Sequence, residues 1–337
     1  MIKLGARLRG AYQDDFTTSN YNGTYTFNSL LAYQLQLQGM ANGLTNEQIR
    51  AMGGGPSQFT LSAGIPLASV SQYDIGMFIT DDWRIKPNFT LSTGLRYETQ
   101  NNISSNLNFA PRIGFAWGIG SPGSGRQPKT VLRGGWGIFY DRFDSNYTLQ
   151  ANRINPLVQQ QFTVRTPNFY PTIPTEGELT PYLNATTTRL VYAGLRSPRI
   201  MQGMVSVERQ LPHNTTLGVT FVTSRGLNML RTRNINAPLQ GTYDPANPSS
   251  AVYPFGLAAG NMYLYESSGS FKQNQLITNV RAPINRYINL FGFYSFGHAN
   301  SNTDGVMSFP ADTYDMSSEW GRAQFDVRHR MLIGGSI

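Results

Sequence analysis

Apolar and polar residues alternate one for one over stretches of about ten residues, and this pattern returns about ten times along the chain. A strand points successive side chains to opposite faces, so each such segment needs an apolar medium on one side and water or polar groups on the other. The clearest case sets Phe89, Leu91, Thr93, Leu95 and Tyr97 against Thr90, Ser92, Gly94, Arg96 and Glu98. Ile113, Phe115, Trp117 and Ile119 alternate with Arg112, Gly114, Ala116 and Gly118; Leu132, Trp136, Ile138 and Tyr140 alternate with Arg133, Gly135 and Gly137. Met201, Val205, Val207 and Leu211 oppose Gln202, Ser206, Glu208 and Gln210, and Leu217, Val219 and Phe221 oppose Thr216, Gly218 and Thr220. Ile288, Leu290, Tyr294 and Phe296 form a further face, as do Phe325, Val327, Met331 and Ile333, with weaker strands expected near 2–12, 73–86 and 271–283.

The connections fall into two classes that alternate in order. Turn-like links occur at Lys86-Pro87-Asn88, Pro212-His213-Asn214 and Pro283-Ile284-Asn285-Arg286, with a Gly/Ser/Pro link at 120–129. Long links lie near 13–72, 143–198, 226–270 and 299–322, with a short exception at 101–108. Short connections at one end and long ones at the other are the layout of a membrane barrel with periplasmic turns and extracellular loops. A soluble sandwich would not carry structureless links of this length. Within the first long link, Leu30 to Gln38 and Thr45 to Ala51, closed by Gly53-Gly54-Gly55, predict a short surface helix.

Composition narrows the chemistry. Charged residues make up 14% and aromatics 12%, and the 34 Gly and 18 Tyr suit strands and turns better than helices. With no Cys, a disulfide framework, a thiolate metal site and a Cys nucleophile are excluded together. His213, His298 and His329 are scattered without a metal-ligand spacing, so no metal and no cofactor is expected. The net charge of +8 is compatible with nucleic acid, anionic lipid or a basic pore. Its basic residues recur singly within alternating segments and not in a run, which favours the pore or membrane over nucleic acid. No stretch of eighteen apolar residues is present, so no transmembrane helix is expected, and barrel strands escape a hydropathy plot.

Two sets of residues stand out. Trp83, Tyr97, Trp117, Trp136 and Tyr140, with Phe89 and Tyr287, sit on or near strand ends, where amphipathic rings favour a water–lipid boundary. Arg84, Arg96, Glu98, Arg112, Arg133, Glu208, Asp326, Arg328 and Arg330 fall on the opposite face and are candidates for a lumen wall. The bland alternative is a ladder of charge pairs that fixes strand register. Gly134-Gly135-x-Gly137 lies inside a strand with no helix after it, so it points to a bend, a bulge or a close approach and not to a phosphate loop. Asp81-Asp82 and the Asp304, Asp312, Asp315, Glu319 group lack the spacing of a calcium loop. Ser224-Arg225-Gly226 and Ser145-Asn146 have no His partner, so no catalytic residue and no enzyme activity is expected.

The run Ile79-Thr80-Asp81-Asp82-Trp83-Arg84, then Pro87-Asn88-Phe89-Thr90-Leu91 and Gly94-Leu95-Arg96-Tyr97-Glu98, resembles a passage of TonB-dependent receptors, in particular the Oar-like group with a carboxypeptidase-regulatory-like domain. Asn108 to Trp117, Leu132 to Asp141, Arg233 to Pro238 and Phe325 to Arg330 continue the resemblance, which covers the chain from about residue 70 to its end. It implies an all-β fold, an antiparallel transmembrane barrel around a plug, with import energised through TonB. Such barrels close with about 22 strands. Residues 1–337 are therefore expected to be a partial barrel domain of about ten strands, without plug, TonB box or signal peptide, ending mid-strand at Gly334-Gly335-Ser336-Ile337. An open half-barrel leaves two strand edges unpaired and is not expected to transport alone. The expected function belongs to the parent protein: capture of an unidentified solute by the loops and its plug-gated passage, with outer-membrane lipid, the plug and the TonB complex as partners. An adhesive outer-membrane protein with the same barrel is the alternative. A soluble carbohydrate-binding or hydrolytic β-protein is the third class, and it would need an aromatic platform and, for hydrolysis, carboxylates about 5–10 Å apart.

Overall fold

The computed structural model describes residues 1–120, 128–155, 158–182, 187–247, 250–285 and 287–336. A first long strand, β1 (Ile2–Phe16), precedes an excursion holding β2 (Thr24–Thr26), α1 (Leu30–Ala41), α2 (Asn46–Ala51) and β3 (Gln58–Gly64). β4 (Leu67–Lys86), β5 (Phe89–Gln100), β6 (Asn108–Ile119) and β7 (Thr130–Tyr140) follow. A second excursion carries α3 (Ser145–Arg153), β8 (Gln159–Arg165), the single turn α4 (Glu176–Leu179) and β9 (Thr188–Val191). β10 (Arg199–Gln210), β11 (Thr216–Asn234), β12 (Met262–Pro283), β13 (Asn289–Ser301), β14 (Gly321–Arg322) and β15 (His329–Ser336) complete the described chain.

Among the described residues one sheet holds twelve strands in the order β1-β4-β5-β6-β7-β10-β11-β12-β13, with β14 and β15 on β13 and β9 on β12. The long strands pair with their sequence neighbours and antiparallel throughout, as an up-and-down barrel wall requires. The ten long strands are the ten that the alternation predicts.

The wall curves around α3. This nine-residue helix contacts β4 and β9, and β9 is paired to β12. Asn152 donates to the Ser69 carbonyl on β4, while Gln150 accepts from the Tyr265 hydroxyl on β12. Six strand spacings separate β4 from β12 along the sheet, about 29 Å if it were flat, whereas a nine-residue helix is about 14 Å long. The face that α3 covers carries Ala68 and Val70, which pack on Leu149. That face is therefore the concave one. A second cluster of Phe143, Leu195, Tyr265 and Val306 fastens the loops above the wall.

The two ends differ as expected. Pro87-Asn88 joins β4 to β5, and Asn88 ties the turn to β6 through its amide to the Gly118 carbonyl. At the β10–β11 turn His213 and Asn214 adopt left-handed backbone, at φ 60° and 56°. The 120–129 link lies, for residues 121–127, outside the described residues, as does Arg286 of the last turn. At the other end the strands run further than the alternation predicts. β11 and β12 continue past a bulge at Asn228, where φ is 56°, so the expected link at 226–270 shrinks to 235–261. β15, in contrast, starts at His329, and Phe325 and Val327 lie ahead of it. The cause is Asp326, whose carboxylate accepts from the Ala299 amide, Arg322 and Arg328 and holds the preceding segment in a turn.

The predicted loop helix is two helices. α1 is capped by the Ser29 side chain, and α2 by a reciprocal capping box between Thr45 and Gln48, with Gly53 and Gly55 at positive φ after it. They lie beside a separate three-stranded sheet, β2-β3-β8, that joins the two excursions over Phe59, Leu61, Phe162, Val164 and Leu179.

Candidate functional site

Pairing register carries one concave face across the whole wall. Arg9 pairs with Asp74, Gly76 with Glu98, Gly94 with Arg112, Ala116 with Arg133, Arg133 with Ser206, Glu208 with Gly218, Thr216 with Arg281 and Ser295 with Arg330. Because side chains alternate, these residues share the face on which α3 sits. The other face carries Leu4, Ile79, Leu95, Ile113, Trp136, Val205, Phe221, Leu276, Phe296 and Met331 in the same unbroken register sequence. Each is exposed, which suits contact with lipid.

Seven of the nine expected lumen residues stand on the concave face: Arg84, Arg96, Glu98, Arg112, Arg133, Glu208 and Arg330. Arg96 pairs with Glu98 at 2.6 Å and Arg133 with Glu208 at 2.9 Å. Arg84 donates to the Pro87 carbonyl and closes the turn. The Arg112 guanidinium lies 4.5 Å from the Phe139 ring centre, and that of Arg330 lies 5.8 Å from Phe293. Asp326 and Arg328 do not stand on the wall; they form the latch ahead of β15. Burial works against the Asp326 charge, but donors from Arg328, the Ala299 amide and Arg322 outweigh it and hold its carboxyl below the usual carboxylate range.

Sequence reading missed other members of this face. Lys3, Arg7 and Arg9 occupy it on β1, Asp74 on β4 and Arg281 on β12. Asp74 is nearly buried and pairs with Arg142 at 3.4 Å. Arg7, Arg9, Arg112, Arg281 and Arg330 make no ion pair among the described residues, Asp74 opposite Arg9 being taken by Arg142, so the concave wall carries a surplus of positive charge. The signal for Arg7 and Arg9 was the Leu4, Ala6, Leu8 alternation of β1, which is weak because Gly10 and Ala6 are small.

The aromatic candidates divide by height. Trp83 and Trp117 lie on the outward face near the short turns, and Tyr97 and Tyr140 near the loops, where the Tyr97 hydroxyl donates to the Asn106 carbonyl. Trp136 is mid-strand, opposite Ile113 and Gly203. Gly134 resolves the glycine run: the Phe115 ring lies directly over it on the outward face, with no bulge in the β6–β7 register. Above the wall, burial raises the Tyr25 phenol, helped by Tyr170, to about 12. No three His, Asp or Glu side chains converge as metal ligands among the described residues.

The sequence matches the outer membrane β-barrel domain family over residues 1–108 and 102–337. The chain belongs to that family. Its place is the outer membrane. The outer membrane transporter YddB from Escherichia coli is 14% identical and superposes on 91% of this chain, using 32% of its own, with a TM-score of 0.55. The ferric enterobactin receptor PfeA from Pseudomonas aeruginosa, solved with BCV-L6, is 13% identical over 89% of this chain and 36% of its own, with a TM-score of 0.49. At such identity the likeness to YddB establishes the fold. The chain spans about a third of the length of these two structures. No curated protein matches it significantly.

Proposed function

We propose that this chain is wall from a TonB-dependent receptor of the outer membrane, of the Oar-like group, whose parent protein takes up a solute. The observation that carries the reading is the surplus of guanidinium groups on the concave face, in a wall whose other face is apolar over ten strands. Unpaired charge is costly in a dry core and cheap in a hydrated lumen, so the concave face is a water-facing surface that contacts a plug or a passing solute. The residue runs from Ile79 to Glu98 and from Leu132 to Asp141 support the family group. Plug and TonB are partners of the parent protein in this reading.

The test compares cells carrying the full-length parent, or its Arg112→Gln variant, with and without TonB. Depletion of solutes from a defined medium is followed by mass spectrometry, and barrel assembly by heat-modifiable gel mobility. The expected result is a solute whose depletion needs both receptor and TonB and falls in R112Q at unchanged assembly. Depletion independent of TonB, or an R112Q variant that only fails to assemble, would overturn the proposal.

A further inference from the structure

The outward face of the wall is apolar through its middle, yet it carries a group of basic residues near the loops. On β10 this is Arg199, on β11 Arg225 and on β12 Lys272. Arg225 pairs directly with Lys272, and Arg199, opposite Leu227, is its diagonal neighbour across β10 and β11. Two cations directly opposite each other in a sheet destabilise it unless something neutralises them. No carboxylate among the described residues does so. On the outward face of the long strands below the Asn228 bulge, the described acidic residues are Asp14 and Asp81, and they lie on β1 and β4. Arg199, Arg225 and Lys272 have no ion pair among the described residues, and the Arg199 Nε is buried without a hydrogen-bond partner.

Height places this group at a bilayer surface. Arg225 is nine residues above Thr216 (225 − 216), Lys272 nine from Arg281 (281 − 272), and Arg199 eleven from Gln210 (210 − 199). At about 3.3 Å per residue and a tilt of about 40°, these are roughly 23–28 Å above the short turns, against an apolar band about 25 Å tall. Beside them is a half-open cleft of about 510 Å³, lined among others by Ser104, Leu107, Tyr140, Arg196, Arg199 and Asn228, with no acidic residue in its lining. Leu107 is 80% exposed at this cleft, and Ile138, Met201 and Phe109 continue downward from it on the outward face.

We propose that this cleft and the adjoining Arg225–Lys272 pair bind the phosphate-bearing headgroup of a membrane lipid in the leaflet on the loop side. The guanidiniums of Arg196 and Arg199 offer paired donors that match phosphate oxygens, and the acyl chains follow the apolar face below. The proposal rests on the outer-membrane location and not on transport, so it survives a failed uptake experiment and fails independently of it.

The test is native mass spectrometry of the detergent-purified full chain with phosphatidic acid, phosphatidylcholine or inorganic phosphate added. Phosphatidic acid should be retained preferentially. Each removed charge is expected to weaken retention about fivefold, so R199Q/R225Q should lose about 25-fold. R165Q, a charge change equal to that of R225Q alone but on the loop strand β8, should lose nothing. R225K should keep most of the binding, and R225Q alone decides the matter if the double variant does not fold. Equal retention of phosphatidylcholine, equal loss in R165Q, or inorganic phosphate binding as well as the lipid would overturn the proposal.

Discussion

Phe221 and Val222 are adjacent on β11 and face opposite media, so placing the same arginine at each isolates the facing from everything else. Phe221 sits on the outward face between Val205 and Leu276; Val222 sits on the concave face between Met204 and Gln275. Phe221 is five residues above Thr216 (221 − 216), about 13 Å up an apolar band about 25 Å tall, which is its midplane. Arginine on the lipid face at that depth costs about 2–4 kcal/mol, or about 30- to 700-fold in the folding equilibrium. Loss of the Phe221 ring from lipid adds in the same direction. At Val222 the guanidinium projects among polar groups and water, and the cost should stay under about 1 kcal/mol, within the range of unremarkable surface changes. The assay is urea titration of the full-length protein refolded into phosphatidylcholine vesicles, read by tryptophan emission and heat-modifiable mobility. Equal costs for F221R and V222R, or a larger cost for V222R, would refute the assignment of faces.

Gly134→Val puts a branched side chain under the Phe115 ring and should cost about 1–3 kcal/mol by overpacking. Phe115→Ala in the same chain should recover part of it, which a double-mutant cycle on the same titration measures. Because the Asp326 carboxyl is held below its usual range, its contribution to the latch ahead of β15 is present above the unfolded carboxyl value and is lost as pH falls through the folded one. Protection of the Ala299 amide, taken relative to the intrinsic exchange rate at each pH, should therefore fall in acid, and Asp326→Asn should remove that dependence. The raised Tyr25 phenol works in the opposite sense: its contribution is full below about pH 10 and is lost as pH rises toward about 12. Burial also raises the Tyr147 phenol, so phenolate absorbance should show a late-titrating fraction that Tyr25→Phe reduces by one tyrosine.

The wall was legible in the sequence because each strand encodes its two faces within about ten residues. Phe89 to Glu98 and Leu132 to Tyr140 needed no distant information. What escaped depended on partners far along the chain. Phe59, Leu61 and Ala63 alternate well, but their partners Phe162 and Val164 lie about a hundred residues away in another loop, so β3 read as part of a link. The upper halves of β11 and β12 mix apolar with polar side chains on both faces, as in Met229-Leu230-Arg231-Thr232 and Leu264-Tyr265-Glu266-Ser267, and the alternation fades there. Phe325 and Val327 kept the right period, and Asp326 between them overrode it by binding three donors at once. The concave arginines were found wherever the opposite face was strongly apolar. Arg7, Arg9 and Arg281 were missed where it was not.

The most direct test of a wall with one face to lipid uses the absence of cysteine from residues 1–337, with any cysteine elsewhere in the parent replaced by serine. Single cysteines introduced from Leu217 to Ser224 on β11, spin-labelled in the full-length protein in membranes, report collision with oxygen and with a water-soluble nickel chelate. The account predicts period-two alternation, with Leu217, Val219, Phe221 and Thr223 favouring oxygen and Gly218, Thr220, Val222 and Ser224 favouring the chelate or reporting a packed lumen. Uniform accessibility along the segment, or a period near 3.6, would contradict it.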